Sequence, residues 1–203
     1  MLRSPTARLF VAVDPPEEVC DQLCAWARAA VRAGGRKPAG ATLRVLEPEL
    51  LHVTLCFLGN RPVGEMDALA EQLAACEGKA SALSLGAPLW LPERNPRALA
   101  VELYDERGRL AKLQGEVVAA MQEASGWQAN GNGAHTVASA QKTKRRFHPH
   151  ITVARLGQGA APRQRKLPPT PSASFTPREL VLYRSWLSLR GASYEAVASQ
   201  ALG

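Results

Sequence analysis

The stretch "FHPHITVAR" occupies Phe147–Arg155 and holds two of the four histidines of the chain. The run after the second of these histidines is rich in β-branched residues, which is typical of a strand. Because successive side chains of a strand point to opposite faces, Ile151 and Val153 can enter a core together. The polar side chains at alternate positions then share the other face: His148, His150 and Thr152. Such a face is either solvated surface or the wall of a binding site.

A second stretch, "LHVTLCFLGN", repeats the pattern about half a chain earlier, with His52 and Thr54 in the same relation. Of the four histidines, only His52 and His150 are followed by threonine two positions later. Regular alternation directs Phe57 away from His52 and into the core. The duplication favours a site in which two strands each present a histidine and a threonine to a shared cleft.

The composition of the 203-residue chain is that of an ordinary globular protein, with 46% hydrophobic and 21% charged residues. No apolar run approaches the ~20 residues of a membrane helix, and the N-terminal sequence lacks the features of a signal peptide. The four cysteines do not show the C-x-x-C spacing of a zinc site. We therefore expect a cytoplasmic protein that does not associate with a membrane.

The formal net charge of +7 favours a polyanionic partner. Basic residues cluster on both sides of the second histidine stretch. Four precede it: Lys142, Lys144, Arg145 and Arg146. Three follow it: Arg163, Arg165 and Lys166. Charge runs of this kind are often solvated loops, but their position beside His150 makes them candidates for binding such a partner.

Apolar residues at helical spacing predict helices near 19–30, 66–73 and 110–121. Asp14 is expected to cap the first helix, with Pro15 at its first position. Strands are predicted at 8–13, 42–47, 51–58, 82–91, 97–103, 180–189 and 194–199, and from His150 onward. The segment 125–146 is polar and without period, so we expect a mobile loop there.

Strands and helices do not follow the rhythm of a doubly wound fold, and no Gly-rich phosphate loop is present. The pattern therefore predicts an α+β fold, formed by one domain over residues 1–203. It should have two pseudo-symmetric lobes, each a mainly antiparallel sheet with helices, on either side of a central cleft. Each lobe would contribute one of the two His–Thr strands.

Two histidines facing each other across a cleft suit paired proton transfer. A neutral ring removes a proton from a nucleophile while a protonated ring gives one to the leaving group, and histidine permits both states near neutral pH. The threonine beside each histidine can donate a hydrogen bond to an oxygen between them. A phosphate diester has two non-bridging oxygens whose charge must be held in the transition state. The four side chains thus predict a clamp around one phosphorus.

With these residues, the chain resembles the 2H phosphoesterase superfamily, specifically the RNA 2′,3′-cyclic phosphodiesterases, also called 2′-5′ RNA ligases. "HVTLCFLG" is similar to the first signature of that family and "RFHPHITVAR" to the second. Similarity extends to the opening strand and helix, "RLFVAVDPPEEV", to "NPRALAVEL" between the signatures, and to "YRSWLS" near the end.

The resemblance implies that His52 and His150 are catalytic and that Thr54 and Thr152 bind phosphate. The implied reaction opens a 2′,3′-cyclic phosphate at an RNA 3′ end to a 2′-phosphomonoester, with His150 as general base and His52 as general acid. Arg155 would reach the phosphate. In ligation a 5′-hydroxyl of another RNA replaces water. No cofactor, ATP or metal and no protein partner is implied, and a monomer is expected.

The chain departs from the family in two places. His148 stands where the family often has arginine, so it is a candidate substrate-binding residue at the cleft rim. The segment 125–146 is longer than usual, and its basic residues Lys142, Lys144, Arg145 and Arg146 are candidates for RNA binding. Both departures bear on substrate preference rather than on the class of reaction.

Several alternatives stay open at this point. His52, His148 and His150 are also a conceivable zinc site. Tyr183 and Trp186 would either stack on a base or be buried strand aromatics. The protein as a whole could bind RNA ends without catalysis, or act on 2′-5′ oligonucleotides or small cyclic nucleotides.

Overall fold

The computed structural model describes residues 5–33, 43–125, 147–157, 161–162, 166–188 and 191–203. Within these residues it has three α-helices: α1 (Glu17–Ala33), α2 (Met66–Ala74) and α3 (Arg109–Ser125). The strands, in chain order, are β1 (Thr6–Val13), β2 (Leu43–Val45), β3 (Val53–Pro62), β4 (Leu83–Leu91), β5 (Ala98–Tyr104), β6 (His150–Leu156), β7 (Ser174–Phe175), β8 (Glu179–Ser188) and β9 (Gly191–Ala201). Short 3₁₀ turns at Pro48–Leu50 and Val63–Glu65 precede β3 and α2.

The strands form one sheet in the order β7-β4-β5-β6-β3-β1-β8-β9, with β2 beside β6, and every pair is antiparallel. The pairing between strands is shortest in the middle of the sheet. In the described residues, the ladder between β3 and β6 consists of the single pair Val53 and Ile151. One lobe therefore contains β1, β3, β8 and β9, and the other contains β2 and β4–β7. The prediction of an α+β fold with two lobes is confirmed, and each lobe contributes one His–Thr strand at its inner edge.

The three helices cover the core side of the sheet. α1 lies against β2 and β6, whereas α2 and α3 lie against β3, β8 and β9. On β1, alternate side chains enter this core, and the side chains between them, Phe10 and Ala12, are buried outside it. The face that carries Phe10 and Ala12 is the face of the cleft.

The predicted cap of α1 is wrong. The helix begins at Glu17, and the carbonyl of Pro16 accepts hydrogen bonds from the N–H groups of Val19 and Cys20 at 3.0 and 3.1 Å. Pro15 and Pro16 have no N–H, so a carboxylate at Asp14 would find few donors to cap. Asp14 instead accepts a hydrogen bond of 2.5 Å from the hydroxyl of Tyr183.

Each motif strand contains a β-bulge one residue after its threonine. Against β1, Thr54 pairs with Ala12 and Cys56 pairs with Val11, so Leu55 is an extra residue. Against β5, Thr152 pairs with Ala100 and Ala154 pairs with Leu99, which makes Val153 the extra residue. A bulge shifts the alternation by one position. The residue three positions after each threonine is thereby turned to the same face as the threonine.

Candidate active site

The two His–Thr pairs meet where β3 and β6 touch. Val53 and Ile151 pair there and are fully buried. Antiparallel register around this pair sets His52 across from Thr152, and Thr54 across from His150, all on one face. The structure thus brings together the four side chains that the sequence predicted to form a clamp.

Both histidine rings are held in the same way. Nδ1 of His52 lies 2.9 Å from the carbonyl oxygen of Leu50, and Nδ1 of His150 lies 2.8 Å from the carbonyl oxygen of His148. A carbonyl only accepts hydrogen bonds, so Nδ1 carries a proton in both rings. In the neutral state each ring therefore has an unprotonated Nε2. Each histidine can act through Nε2 as a base when neutral and as an acid when protonated.

His52 is enclosed by aromatic side chains. Its ring centroid lies 4.8 Å from that of Phe10 and 5.2 Å from that of Tyr194, which meets it edge-on. Burial lowers the pKa of His52 to about 4; the hydrogen bond to Leu50 opposes this shift, and the positive charges of Arg155 and His150 add to it. The unfavourable interaction with His150 also shows that the two rings lie within electrostatic reach of each other.

His150 is less enclosed. Burial lowers its pKa below the usual value, the hydrogen bond to the carbonyl of His148 opposes this, and the charge on the His148 side chain adds to the lowering. Both rings are therefore neutral in most molecules at neutral pH, and a bound anion would favour their protonation.

An alanine stands opposite each of the two threonines on the neighbouring strand. Thr54 stands opposite Ala12, and Thr152 stands opposite Ala100. Both alanines are fully buried and are not members of the main core cluster, as expected of residues on the face that carries the threonines.

The bulges add one further side chain to each half of this face. Beyond Leu55, Phe57 pairs with Phe10 and lies under the guanidinium of Arg8, 4.7 Å from the ring centroid. The prediction that Phe57 enters the core is therefore wrong, because it assumed unbroken alternation. Beyond Val153, Arg155 reaches the same face, where its charge acts on His52.

His148 lies at the rim, as the sequence suggested, but beside a carboxylate. Its Nε2 is 2.6 Å from Oε1 of Glu102, and Glu102 pairs with His150 across β5 and β6. No sequence pattern pointed to Glu102, because the pairing of β5 with β6 is needed to bring it there. Arg44 was also missed; it pairs with Arg155 on the neighbouring strand β2.

The two candidate aromatic residues, Tyr183 and Trp186, have different surroundings. The side chain of Tyr183 packs on Phe10 with a centroid distance of 5.2 Å. Trp186 is 48% exposed, so its interpretation as a buried aromatic is wrong; Arg184 lies 3.9 Å over its ring. Ser125 ends α3, and the rest of the predicted loop lies outside the described residues, together with Lys142, Lys144, Arg145 and Arg146.

Among the described residues, no three or more His, Cys, Asp or Glu side chains are grouped so as to hold a metal ion. In the same part of the chain, no helix combines the length and the apolar character needed to cross a membrane.

Comparison with known proteins gives consistent results. A model of the 2′-5′ RNA ligase superfamily matches residues 11–186, which include both motif strands. The RNA 2′,3′-cyclic phosphodiesterase of Geobacillus stearothermophilus is 33% identical over 154 residues, which are 73% of this chain but only 44% of that protein.

The fold recurs in solved structures. E. coli LigT complexed with 3′-AMP matches with a TM-score of 0.74 at 24% identity, over 98% of this chain and 99% of that one. The protein TT0787 of Thermus thermophilus matches with a TM-score of 0.70 at 26% identity, over 96% and 97% of the two chains.

Proposed function

The chain belongs to the 2′-5′ RNA ligase superfamily, and we propose that it is an RNA 2′,3′-cyclic phosphodiesterase that opens cyclic phosphate ends of RNA to 2′-phosphomonoesters. The name of the G. stearothermophilus relative supports this activity. The observation that carries the proposal is the meeting of the two His–Thr pairs at Val53 and Ile151, with both Nδ1 atoms fixed on backbone carbonyls.

In the proposed reaction His150 is the general base and His52 is the general acid. Neutral His150 takes a proton from water at Nε2 while the water oxygen attacks phosphorus. The bond between phosphorus and the 3′ oxygen breaks, and Nε2–H of protonated His52 supplies the proton that this oxygen needs. The products are a 2′-phosphomonoester and a 3′-hydroxyl, with His150 protonated and His52 neutral. Proton exchange with water then resets the pair.

The threonines stabilise the charge that develops on phosphorus. The hydroxyls of Thr54 and Thr152 donate hydrogen bonds to the two non-bridging oxygens, one from each lobe, and Arg155 adds a positive charge on the same face. Donors fixed in advance by the strands need no reorganisation during the reaction.

Burial of His52 suits its role as the acid. A protonated ring whose pKa is low gives up its proton readily to an alkoxide leaving group. The negative charge of the bound phosphodiester raises the pKa of the enclosed ring, so that substrate binding itself favours the protonated state.

The activity is tested with a 2′,3′-cyclic mononucleotide and with an RNA oligonucleotide that ends in the cyclic phosphate. We expect hydrolysis of both, with the 2′-phosphate as the only product isomer. His52→Ala and His150→Ala should each lower kcat by at least about 10²-fold with the circular dichroism spectrum unchanged. Formation of the 3′-phosphate isomer, or near-normal turnover by either variant, would contradict the proposal. Binding of the RNA end without turnover would identify an RNA-end-binding protein instead.

The separate roles of the histidines are tested with a cyclic substrate that has sulfur in place of the 3′ bridging oxygen. A thiolate leaves without protonation far more easily than an alkoxide does. His52→Ala should therefore recover most of its activity on the sulfur substrate, and His150→Ala should recover none. Recovery by His150→Ala alone would reverse the two assignments.

Ligation is a second candidate activity, and the identical anchoring of the two rings favours it. Both histidines expose Nε2 in the same way, so each can serve as acid or base, as the reverse reaction requires. The 5′-hydroxyl of a second RNA would replace water, and the strained cyclic ester would supply the driving force without ATP. The test is formation of a 2′-5′ linkage between a cyclic-phosphate RNA and a 5′-hydroxyl RNA. If His52→Ala and His150→Ala still ligate RNA, hydrolysis and ligation do not share a site.

A further inference from the structure

A second cation, Arg44, lies on the site face beside Arg155. The two residues pair directly in the register between β2 and β6. Their neighbours in this register, on both strands, include Leu43, Val45 and Ala154, which pack in or against the core. Because directly opposite residues share a face and alternate with those that enter the core, the guanidinium groups of Arg44 and Arg155 both project toward the cleft.

Arg44 also reaches the other lobe. Its guanidinium lies against Gly191, the first residue of β9, so closely that a Cβ on Gly191 would stand 2.6 Å from Nη2 and 2.8 Å from Nη1. Gly191 has a φ of +135°, which other residues rarely adopt. Because Gly191 has no side chain, the guanidinium of Arg44 can lie against its backbone at the mouth of the cleft.

The charge of Arg155 disfavours protonation of His52, and an anion bound beside the two arginines would offset this effect. Arginine is well suited to phosphate because its planar group offers paired donors.

The position of Arg44 indicates which phosphate it meets. The pair with Arg155 lies roughly 10 Å along β6 from the pair of Val53 and Ile151, by the rise of a strand and allowing for the bulge. Arg155 is the arginine of this pair whose charge acts on His52, whereas the guanidinium of Arg44 lies against Gly191 of the other lobe. The two threonines account for the non-bridging oxygens of the cyclic phosphate, which leaves Arg44, about 10 Å along the strand from the clamp, for a neighbouring phosphate of the substrate.

We propose that Arg44 binds the phosphodiester immediately upstream of the cyclic phosphate and so makes the protein prefer RNA to mononucleotides. The inference rests on the proposed function, since it assumes that the cyclic phosphate occupies the clamp. Arg44 would then determine specificity by binding a single charged phosphodiester of the substrate.

The experiment compares two dinucleotides that end in a 2′,3′-cyclic phosphate. One has an ordinary phosphodiester between its nucleosides, and the other has an uncharged methylphosphonate there. We expect the wild-type protein to prefer the charged dinucleotide by about tenfold in kcat/KM, the worth of one charge-assisted contact. Arg44→Gln should abolish this preference, and Arg44→Lys should keep only part of it. For Arg44→Gln acting on the charged dinucleotide, the slope of log kcat/KM against log salt should become less steep by about 0.7.

Lys112→Gln is the matched control, because it removes one positive charge from an exposed position on α3. It should leave the preference between the dinucleotides as in the wild type. If the wild type hydrolyses both dinucleotides equally well, or if Arg44→Gln retains the preference, Arg44 does not bind this phosphate. If the wild type hydrolyses neither dinucleotide nor a cyclic mononucleotide, the proposed function itself is wrong. The comparison of the two dinucleotides in the wild type tests the effect of the upstream charge without any variant. If Arg44→Gln folds poorly, Arg44→Lys still tests whether Arg44 is the residue that binds this charge.

Discussion

His52 and His150 have the same hydrogen bond at Nδ1 but different surroundings. The ring of His52 is packed between Phe10 and Tyr194, whereas His150 lies beside the hydrogen bond between His148 and Glu102. Desolvation disfavours the charged imidazole in both, and most strongly in His52. The free protein therefore holds its two catalytic candidates largely neutral, and in the proposed mechanism the bound substrate favours protonation of one of them.

This predicts a particular pH dependence for hydrolysis of a 2′,3′-cyclic mononucleotide. The active form carries one proton on the pair, so its population is greatest between the two pKa values of the coupled pair. Both pKa values lie below the ordinary 6.5, so the bell-shaped profile of kcat/KM should peak on the acid side of that value. The bound phosphodiester raises both, so the profile of kcat should peak at higher pH than that of kcat/KM.

Initial rates from about pH 4 to about pH 9 at constant ionic strength check both statements, since the limbs of the two profiles report the free protein and the complex separately. Rates that rise steadily to high pH, or are abolished by a chelator, would point to metal-bound hydroxide instead.

Among the secondary-structure elements, β3 and β6 are distorted at equivalent places. The extra residues Leu55 and Val153 are both buried and each follows the threonine of its motif. Without the second bulge, Arg155 would point into the core, where an unpaired charge is very costly. The bulge therefore makes an arginine possible at this position, and it directs the charge toward His52.

Replacing Arg155 tests this geometry. Since the charge of Arg155 lowers the pKa of His52, Arg155→Gln should raise that pKa. The measurement is an NMR titration of the His52 ring in the absence of substrate. Arg28→Gln, which removes the same charge from α1, should leave the titration of His52 where it is in the wild type. An unchanged pKa in Arg155→Gln would show that Arg155 does not face His52.

The sequence predicts those parts of this arrangement that depend on local pattern. The duplicated His–Thr strands, the three helices and the two-lobed fold follow from periodicity and resemblance. The bulges do not, because an extra residue is defined only by the strand it pairs with, which is why Phe57 was misplaced. Arg44 lies on a strand of three residues that offers too little pattern to show a face. Asp14 does not cap α1 because the two prolines after it lack N–H groups, and the partner that it has instead, Tyr183, is distant in sequence.

In the whole molecule, the two lobes are joined in the sheet by a small interface between β3 and β6. Their central strands are joined by one pair in the described ladder, and a phosphate in the clamp would contact a threonine from each side. If the substrate is a long RNA, the phosphates that lie beyond the clamp need positive charges farther out. Arg44 is the one that we propose, and the basic run before His150 is a candidate for others.

The run is tested by replacing Lys142, Lys144 and Arg145 with Ser. If upstream phosphates lie over these cations, KM for an RNA oligonucleotide should rise and its salt dependence should flatten. Each contact contributes about −0.7 to the slope of log affinity against log salt, so the loss of three would change it by about 2. Turnover of a cyclic mononucleotide should barely change. Equal losses on both substrates would mean that the run supports β6 structurally, and no loss on either would favour the cluster from Arg163 to Lys166.

The two bulges also make the two ends of the cleft different from each other. Two histidines and two threonines alone form a clamp with an approximate twofold axis, and such a clamp does not distinguish one end of a phosphodiester from the other. The bulges place an aromatic ring, Phe57, on one side of that axis and a cation, Arg155, on the other. A nucleic acid strand that enters this cleft therefore meets different chemistry at its two ends, and only one 5′-to-3′ orientation can match it.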